Sequence, residues 1–213
     1  MSSLLAPLII IIVVLILLCR LLFPEKCMNA AAWHEVGHTI TSAVAREYFS
    51  SEGLITISIS KLGGGRFHLK TGNDYVEGID ERGYIHYLFR WLALTQAGYV
   101  FEQLYISSVE SRLLRLWLTS HQVLCSMQDR LVCFLILLII AVRLKRLDIF
   151  SISLNSAILN LNSLNYPLSI CLVEELLVLR TTTIPVRSDR YISIETEVIE
   201  AHISQVVANL CNP

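Results

Sequence analysis

His34, Glu35 and His38 stand in a His-Glu-x-x-His pattern, His34-Glu35-Val36-Gly37-His38. Residues four apart lie on one face of a helix, so both imidazoles can reach one tetrahedral Zn²⁺. Glu35 is adjacent and can hold a water that the metal activates, taking its proton as it attacks a carbonyl. With 6 His in 213 residues, chance produces this spacing in about one chain in a hundred. A buried face carrying two His and a Glu with no metal would be costly to keep. The expected chemistry is therefore zinc-assisted hydrolysis, with Glu35 as general base.

Two ligands leave the site incomplete, because catalytic zinc usually takes three and keeps one place open. Glu102 and Asp129 are the carboxylate candidates for the third. His68, His86, His121 and His202 are the remaining histidines. Periodicity does not choose among these six.

The motif needs a helix to carry it. Asn29 is a plausible N-cap for a helix from Ala30 to about Glu47, rich in Ala and without Pro. Leu54 to Ser60 alternates apolar and polar residues and reads as a half-buried strand. Gly63-Gly64-Gly65 makes a turn, Arg66 to Leu69 a short return strand, and Gly72-Asn73-Asp74 a loop. Asp80 caps a long helix to about Tyr105, with Ile85, Leu88, Phe89, Leu92, Val100, Phe101 and Leu104 on a helical repeat. Ser151 to Asn165 has no clean period. Leu168 to Arg180 reads as a helix, and Ile194 to Leu210 as a last one with Ser193 as N-cap and Glu195 and Glu197 in its first turn. The fold class expected is mainly α with a small β-hairpin or sheet.

Composition points to a membrane. Hydrophobic residues make up 54% of the chain and charged residues 16%, against about 25% charged in an ordinary globular domain. Mean hydropathy is +0.58. The formal net charge of -1 excludes a nucleic acid bound through its phosphates. Leu4 to Phe23 is apolar except for Arg20. Twenty residues span a hydrocarbon core of roughly 30 Å if Arg20 snorkels to its edge. No basic residue precedes the segment and no small-x-small site follows it, so an uncleaved N-terminal transmembrane helix is expected over a signal peptide. Arg20 and Lys26 place the remainder on the cytoplasmic side, or on the stromal or matrix side of an organelle. The cysteines, Cys19, Cys27, Cys125, Cys133, Cys171 and Cys211, are scattered without a framework, as in a reducing compartment. A second apolar run, Leu131 to Val142, is twelve residues long. That is short for a span, and a buried core helix is expected there instead.

These residues together resemble the FtsH-type membrane zinc metallopeptidases. Ala31-Ala32-Trp33-His34-Glu35-Val36-Gly37-His38-Thr39-Ile40 is similar to that family's helix with its HEAGH-type core. Ile55 to Ile59 with Gly63-Gly64-Gly65 resembles the strand and turn that follow it, and Ala97-Gly98-Tyr99-Val100-Phe101-Glu102 its AGRAAE-type stretch. Ser126-Met127-Gln128-Asp129-Arg130 resembles the polar motif that supplies the family's third ligand. The resemblance implies a zincin-like peptidase domain over residues 24–213 behind an anchor over 1–23. It assigns the metal to His34, His38 and Asp129, and an extended substrate to a cleft lined by Ser58, Ile59, Gly63 and Gly64. No GxxxxGK[ST] loop occurs, so no nucleotide and no unfolding motor are expected. Ile106 to Leu124 lengthens the path to Asp129 relative to the family.

The function expected is a membrane-anchored zinc endopeptidase acting on loose polypeptide segments, without an ATPase of its own. Its partners are polypeptide substrates and the lipid around the N-terminal helix. Rings form in the family partly through the motor, so a hexamer does not carry over, and a homo-oligomer stays open. Two alternatives compete. One is an intramembrane metalloprotease of the site-two type, disfavoured by Lys26, Arg46 and Glu47 around the motif and by the lack of an LDG segment. The other is a non-catalytic protease-like membrane adaptor, which has no chemical need of Glu35.

Overall fold

The computed structural model describes residues 20–44, 54–61, 63–69 and 80–185, with seven isolated positions between 7 and 18. Helix α1 spans Pro24–Val44. It begins before Asn29, because Pro24 occupies the first helical position, where a missing N–H is harmless. Asn29 is therefore no cap; its Nδ2 donates to the Glu25 carbonyl at 2.8 Å.

Helix α2, Glu81–Ser108, runs through the middle of the fold. Asp80 caps it, its Oδ1 accepting from the Gly83 N–H at 2.7 Å. Ile85, Leu88, Phe89, Leu92, Ala97, Val100 and Phe101 are buried along it. Where α1 crosses α2, a Cβ on Gly37 would sit 2.6 Å from the Ala97 carbonyl oxygen and 2.9 Å from Phe101 Cγ. Only glycine lets the two backbones approach this closely, and that approach sets the motif against α2.

Three antiparallel strands form one sheet in the order β2-β1-β3: β1 is Leu54–Ile59, β2 is Gly65–Leu69 and β3 is Thr181–Pro185. Ile55, Ile57 and Ile59 point into the core, as alternation requires. Gly63 turns the hairpin at φ 72°, in the left-handed region. The third strand was not expected. It is a β-branched run, Thr181-Thr182-Thr183-Ile184, placed after a left-handed Arg180 ends the preceding helix.

Between these lie α3 (Arg112–Cys125), α4 (Met127–Leu144), a 3₁₀ turn (Asp148–Ser151), α5 (Asn155–Leu164) and α6 (Tyr166–Leu179). The long path to Asp129 is folded into α3, which packs Leu118 against Cys27, Ala30 and Ile106. Gln122 ties α3 to α2 by donating to the Tyr99 carbonyl at 3.2 Å. The segment without a clean period contains α5, whose buried Leu154, Ala157, Ile158 and Leu161 do fall on one helical face.

Helix α4 corrects the buried-helix expectation for Leu131 to Val142. Only Ile136, Ile140 and Ala141 are buried on it, while Leu131 is 58% and Val142 68% exposed. Its inner face packs antiparallel to α2: Arg143 pairs with Glu81 at 2.9 Å, and Arg130 lies over the Tyr99 ring. Among the described residues only the Phe150 ring of the 3₁₀ turn, against Phe134, meets its outer face, so an all-round apolar sequence leaves half its side chains uncovered.

Among the described residues no single helix is long and apolar enough to cross a membrane, but α3 and α4 pass that test together with a bend of 56°. The described positions from Pro7 to Leu22 are helical, with Leu21 71% exposed. The expected helix from Ile194 to Leu210 and His202, Cys19 and Cys211 lie outside the described residues, as do Arg46, Glu47 and the 72–74 loop.

Candidate metal centre

Helix α1 presents His34 and His38 one turn apart, and the first turn of α4 brings Asp129 to them. His34 Nε2 lies 2.9 Å from Asp129 Oδ2, His38 Nε2 3.5 Å from the same oxygen, and the two Nε2 atoms 3.1 Å from each other. Ligand atoms held about 2.0–2.1 Å from a tetrahedral Zn²⁺ stand about 3.3 Å apart. The three atoms thus already lie at the separations of one face of such a tetrahedron.

The other ring nitrogens fix the tautomers. His38 Nδ1 faces the Leu94 carbonyl at 2.8 Å, which can only accept, so this nitrogen carries the proton. His34 Nδ1 faces Glu102 Oε2 at 2.9 Å, and an ionised Glu102 makes it a donor too. Both Nε2 atoms then aim lone pairs at the Asp129 oxygen. Three electron-rich atoms converging in this way require a cation or a proton between them. Burial depresses the His34 pKa, yet hydrogen bonds to Asp129 and Glu102 outweigh it and hold it well above the usual value. A proton fills the gap when nothing else does.

Two further features fit a metal. A Cβ on Gly98 would stand 2.5 Å from His38 Nε2 and 2.6 Å from His34 Nε2, so α2 leaves open the space beside both donors. Glu35 is 5% exposed, and its Oε2 is buried with no hydrogen-bond partner. Burial raises its pKa, only partly offset by His34 and His38. A cavity of about 40 Å³ adjoins it, lined by His34, Glu35, Gly63, Glu102, His121 and Cys125 among others. That exceeds the roughly 10–15 Å³ a water molecule needs.

Five of the six candidates for the third ligand lie among the described residues and separate by position, His202 lying outside them. Asp129 is on the Nε2 side, and His34, His38 and Asp129 form a group able to hold a metal. Glu102 is buried behind His34, where it orients the ring. His68 is exposed on β2 and His86 lies near the start of α2. His121 is buried in the cavity wall, its Nε2 accepting from Arg20 Nε at 3.0 Å. Arg20 therefore turns to α3 instead of snorkelling. Replacing an orienting carboxylate of this kind typically weakens metal binding 10–100-fold. Glu102→Gln is expected to show that loss by zinc competition titration, with the centre still able to load at saturating metal.

His121 carries a stability prediction. Burial and the neighbouring Arg20 lower its pKa from 6.5 to about 4. Between these values the unfolded chain binds more protons, so stability is full above about pH 6.5 and falls as the pH drops to 4. The loss is on the order of 3 kcal/mol. Denaturant unfolding of wild type and His121→Gln across this window measures it; equal pH slopes in the two proteins would refute it.

The residues the resemblance assigns to the substrate cleft stand differently from its implication. β1 is the central strand. Ser58 pairs with Arg66 on one side and Thr181 on the other, and Ile59 pairs with Gly65 and donates to the Arg180 carbonyl at 2.9 Å. An incoming peptide cannot pair there without displacing a strand. Gly63 and Gly64 form the turn, held by N–H bonds to the Ser60 carbonyl and Oγ at 3.1 and 3.0 Å, and Gly63 reaches the cavity.

The strand beside the centre is β2. A Cβ on Gly65 would lie 2.6 Å from Glu35 Cγ, and the Phe67 ring is 5.5 Å from that of His38. Gly65 ends the Ser58 to Gly65 stretch expected at the cleft, and Gly98 stands in the AGRAAE-like stretch, but a glycine in a strand and one in a helix interior do not by themselves reveal the close contacts with Glu35 and with both Nε2 atoms. No family model, curated protein or solved structure matches the chain.

Proposed function

We propose that this chain is a membrane-anchored, zinc-dependent endopeptidase. The observation that carries the reading is the convergence of His34 Nε2, His38 Nε2 and Asp129 Oδ2 beside a buried, unpartnered Glu35 oxygen. His34, His38 and Asp129 would hold the metal, and zinc bound there would supply Lewis acidity and a nucleophilic water at neutral pH.

The protein's own groups do the rest. Glu102 and the Leu94 carbonyl keep both imidazoles in the tautomer that leaves Nε2 free to ligate. Glu35 holds the attacking water from the cavity side, accepts its proton, and returns it to the leaving amine. The outer edge of β2, the one of the two edge strands of the described sheet that lies beside Glu35 and His38, takes the substrate backbone as an added strand. This placement moves the cleft from Ser58 and Ile59 to Gly65 and its neighbours, next to Glu35.

The charged start of the motif helix, Glu25 and Lys26, favours this reading over an intramembrane protease. The segment Leu4–Phe23 serves as the anchor, with the peptidase domain on the cytoplasmic, stromal or matrix side. The test is metal content with chelator-reversible turnover. Purified full-length protein is expected to hold about one zinc per chain and to cleave unfolded polypeptides. It should lose activity with a chelator and regain it with added Zn²⁺. One bound zinc with no turnover on a broad peptide library would favour the non-catalytic adaptor instead.

A further inference from the structure

Beyond the N-terminal segment, the described residues leave one long helix face apolar and uncovered, the outer face of α4. Leu131, Leu135, Leu138 and Val142 are exposed along it at helical spacing, with Phe134 and Ile139 alongside. Met127 and Val123 carry the stripe across the 56° bend into α3, where Leu116 and Leu113 continue it. Scattered exposed apolar residues need no explanation, but a contiguous stripe over two helices marks an interaction surface.

Charge identifies what covers it. Residues 112–146 hold six basic side chains, Arg112, Arg115, Arg130, Arg143, Lys145 and Arg146, and one acidic, Asp129. Three of the six are engaged, Arg143 by Glu81, Arg146 by Asp148 and Arg130 over the Tyr99 ring. Arg112, Arg115 and Lys145 are exposed and form no ion pair among the described residues. Packing this surface against a second copy of itself would bring like charges together. An anionic lipid surface neutralises them, at about 1 kcal/mol for each basic residue near it.

Length and position agree. The uncharged run Leu131 to Val142 is about 18 Å long as a helix, too short to cross a hydrocarbon core of about 30 Å. An exposed apolar helix face flanked by basic residues is suited to lie in the plane of the interface instead. The N-terminal apolar segment also leaves the fold at α3. Arg20 bonds to His121 and Cys125 there, and the Phe23 ring meets Trp117 edge-on at 6.4 Å.

We propose that the α3–α4 elbow lies in the headgroup boundary of an anionic membrane, as a second lipid contact beside the N-terminal segment. This inference rests on the anchor in the proposed function, and goes beyond it by bringing the helix that carries Asp129 to the membrane surface.

The test uses the full chain in phosphatidylcholine vesicles, with and without phosphatidylglycerol, containing a diazirine-bearing phospholipid. Crosslinked residues are mapped by mass spectrometry. The expected labels fall on residues 4–23 and on Leu113, Leu116, Leu131, Leu135, Leu138 and Val142. Yields there should be several times those at buried Ile136 and Ile140, and rise with phosphatidylglycerol. Leu135→Glu with Leu138→Glu should abolish the α4 labels and keep those at 4–23. Labels confined to 4–23 would overturn the elbow contact and leave the anchor standing; no label in either region would overturn both. Protection of α4 by crosslinks to a second copy, or to residues 194–210, would overturn it in favour of that occupant.

Discussion

Glu35→Gln is expected to keep its zinc and lose peptide cleavage by about 10²–10⁴-fold, the range for removing a general base. The amide has nearly the volume of the carboxylate, so it still fits against Gly65, where even a Cβ would crowd the Glu35 side chain. None of the three proposed ligands, His34, His38 and Asp129, is touched. What disappears is the atom that accepts a proton: Glu35 Oε2 is buried and has no hydrogen-bond partner. Burying a carboxylate without one is expensive, and a role for this oxygen in the reaction accounts for its retention. Zinc content and initial rates on an unfolded polypeptide, measured on the same preparations, check the prediction. Wild-type rates in the variant would remove Glu35 from the chemistry.

Asp129→Ala is expected to take zinc from about one per chain to nearly none after dialysis, and all turnover with it. One of three converging donors is deleted, leaving two imidazoles 3.1 Å apart with no anionic partner on their Nε2 side. The fold should survive. Asp129 is half-buried in the first turn of α4, where losing a carboxylate from a helix N-terminus costs about 0.3–1 kcal/mol. Circular dichroism and denaturant unfolding of the variant separate loss of metal from loss of structure. Set beside Glu102→Gln, the result distinguishes a ligand from an orienting group. The ligand variant does not load even at high zinc, whereas the orienting variant loads with weaker affinity. If Glu102→Gln stays empty and Asp129→Ala loads, the two roles are reversed.

Parts of this centre were legible in sequence because they are local. His34, Glu35 and His38 share a face through the 3.6-residue period of a single helix, and no distant contact is needed to know it. The Asp80 cap, the alternation of Ile55, Ile57 and Ile59, and the glycine turn at Gly63 are local for the same reason. The start of α1 was misplaced because Asn29 has the chemistry of a cap while Pro24 has the better position. In α5 the helical period of Leu154, Ala157, Ile158 and Leu161 was hidden by the serines and asparagines between them.

By itself the sequence determined a helical, apolar chain with a two-histidine motif, one adjacent carboxylate, and two acidic candidates to complete the centre. Only the tertiary structure set those two apart in space, with Asp129 on the Nε2 side of His34 and Glu102 on its Nδ1 side. These contacts join residues 68 and 95 apart, His34 with Glu102 and His34 with Asp129. Tertiary structure also made β1 central by returning β3 from the far end of the described chain, which leaves β2 as the edge beside Glu35. It left the outer face of α4 uncovered as well. Periodicity states which residues share a face, but what meets that face depends on how the rest of the chain packs around it.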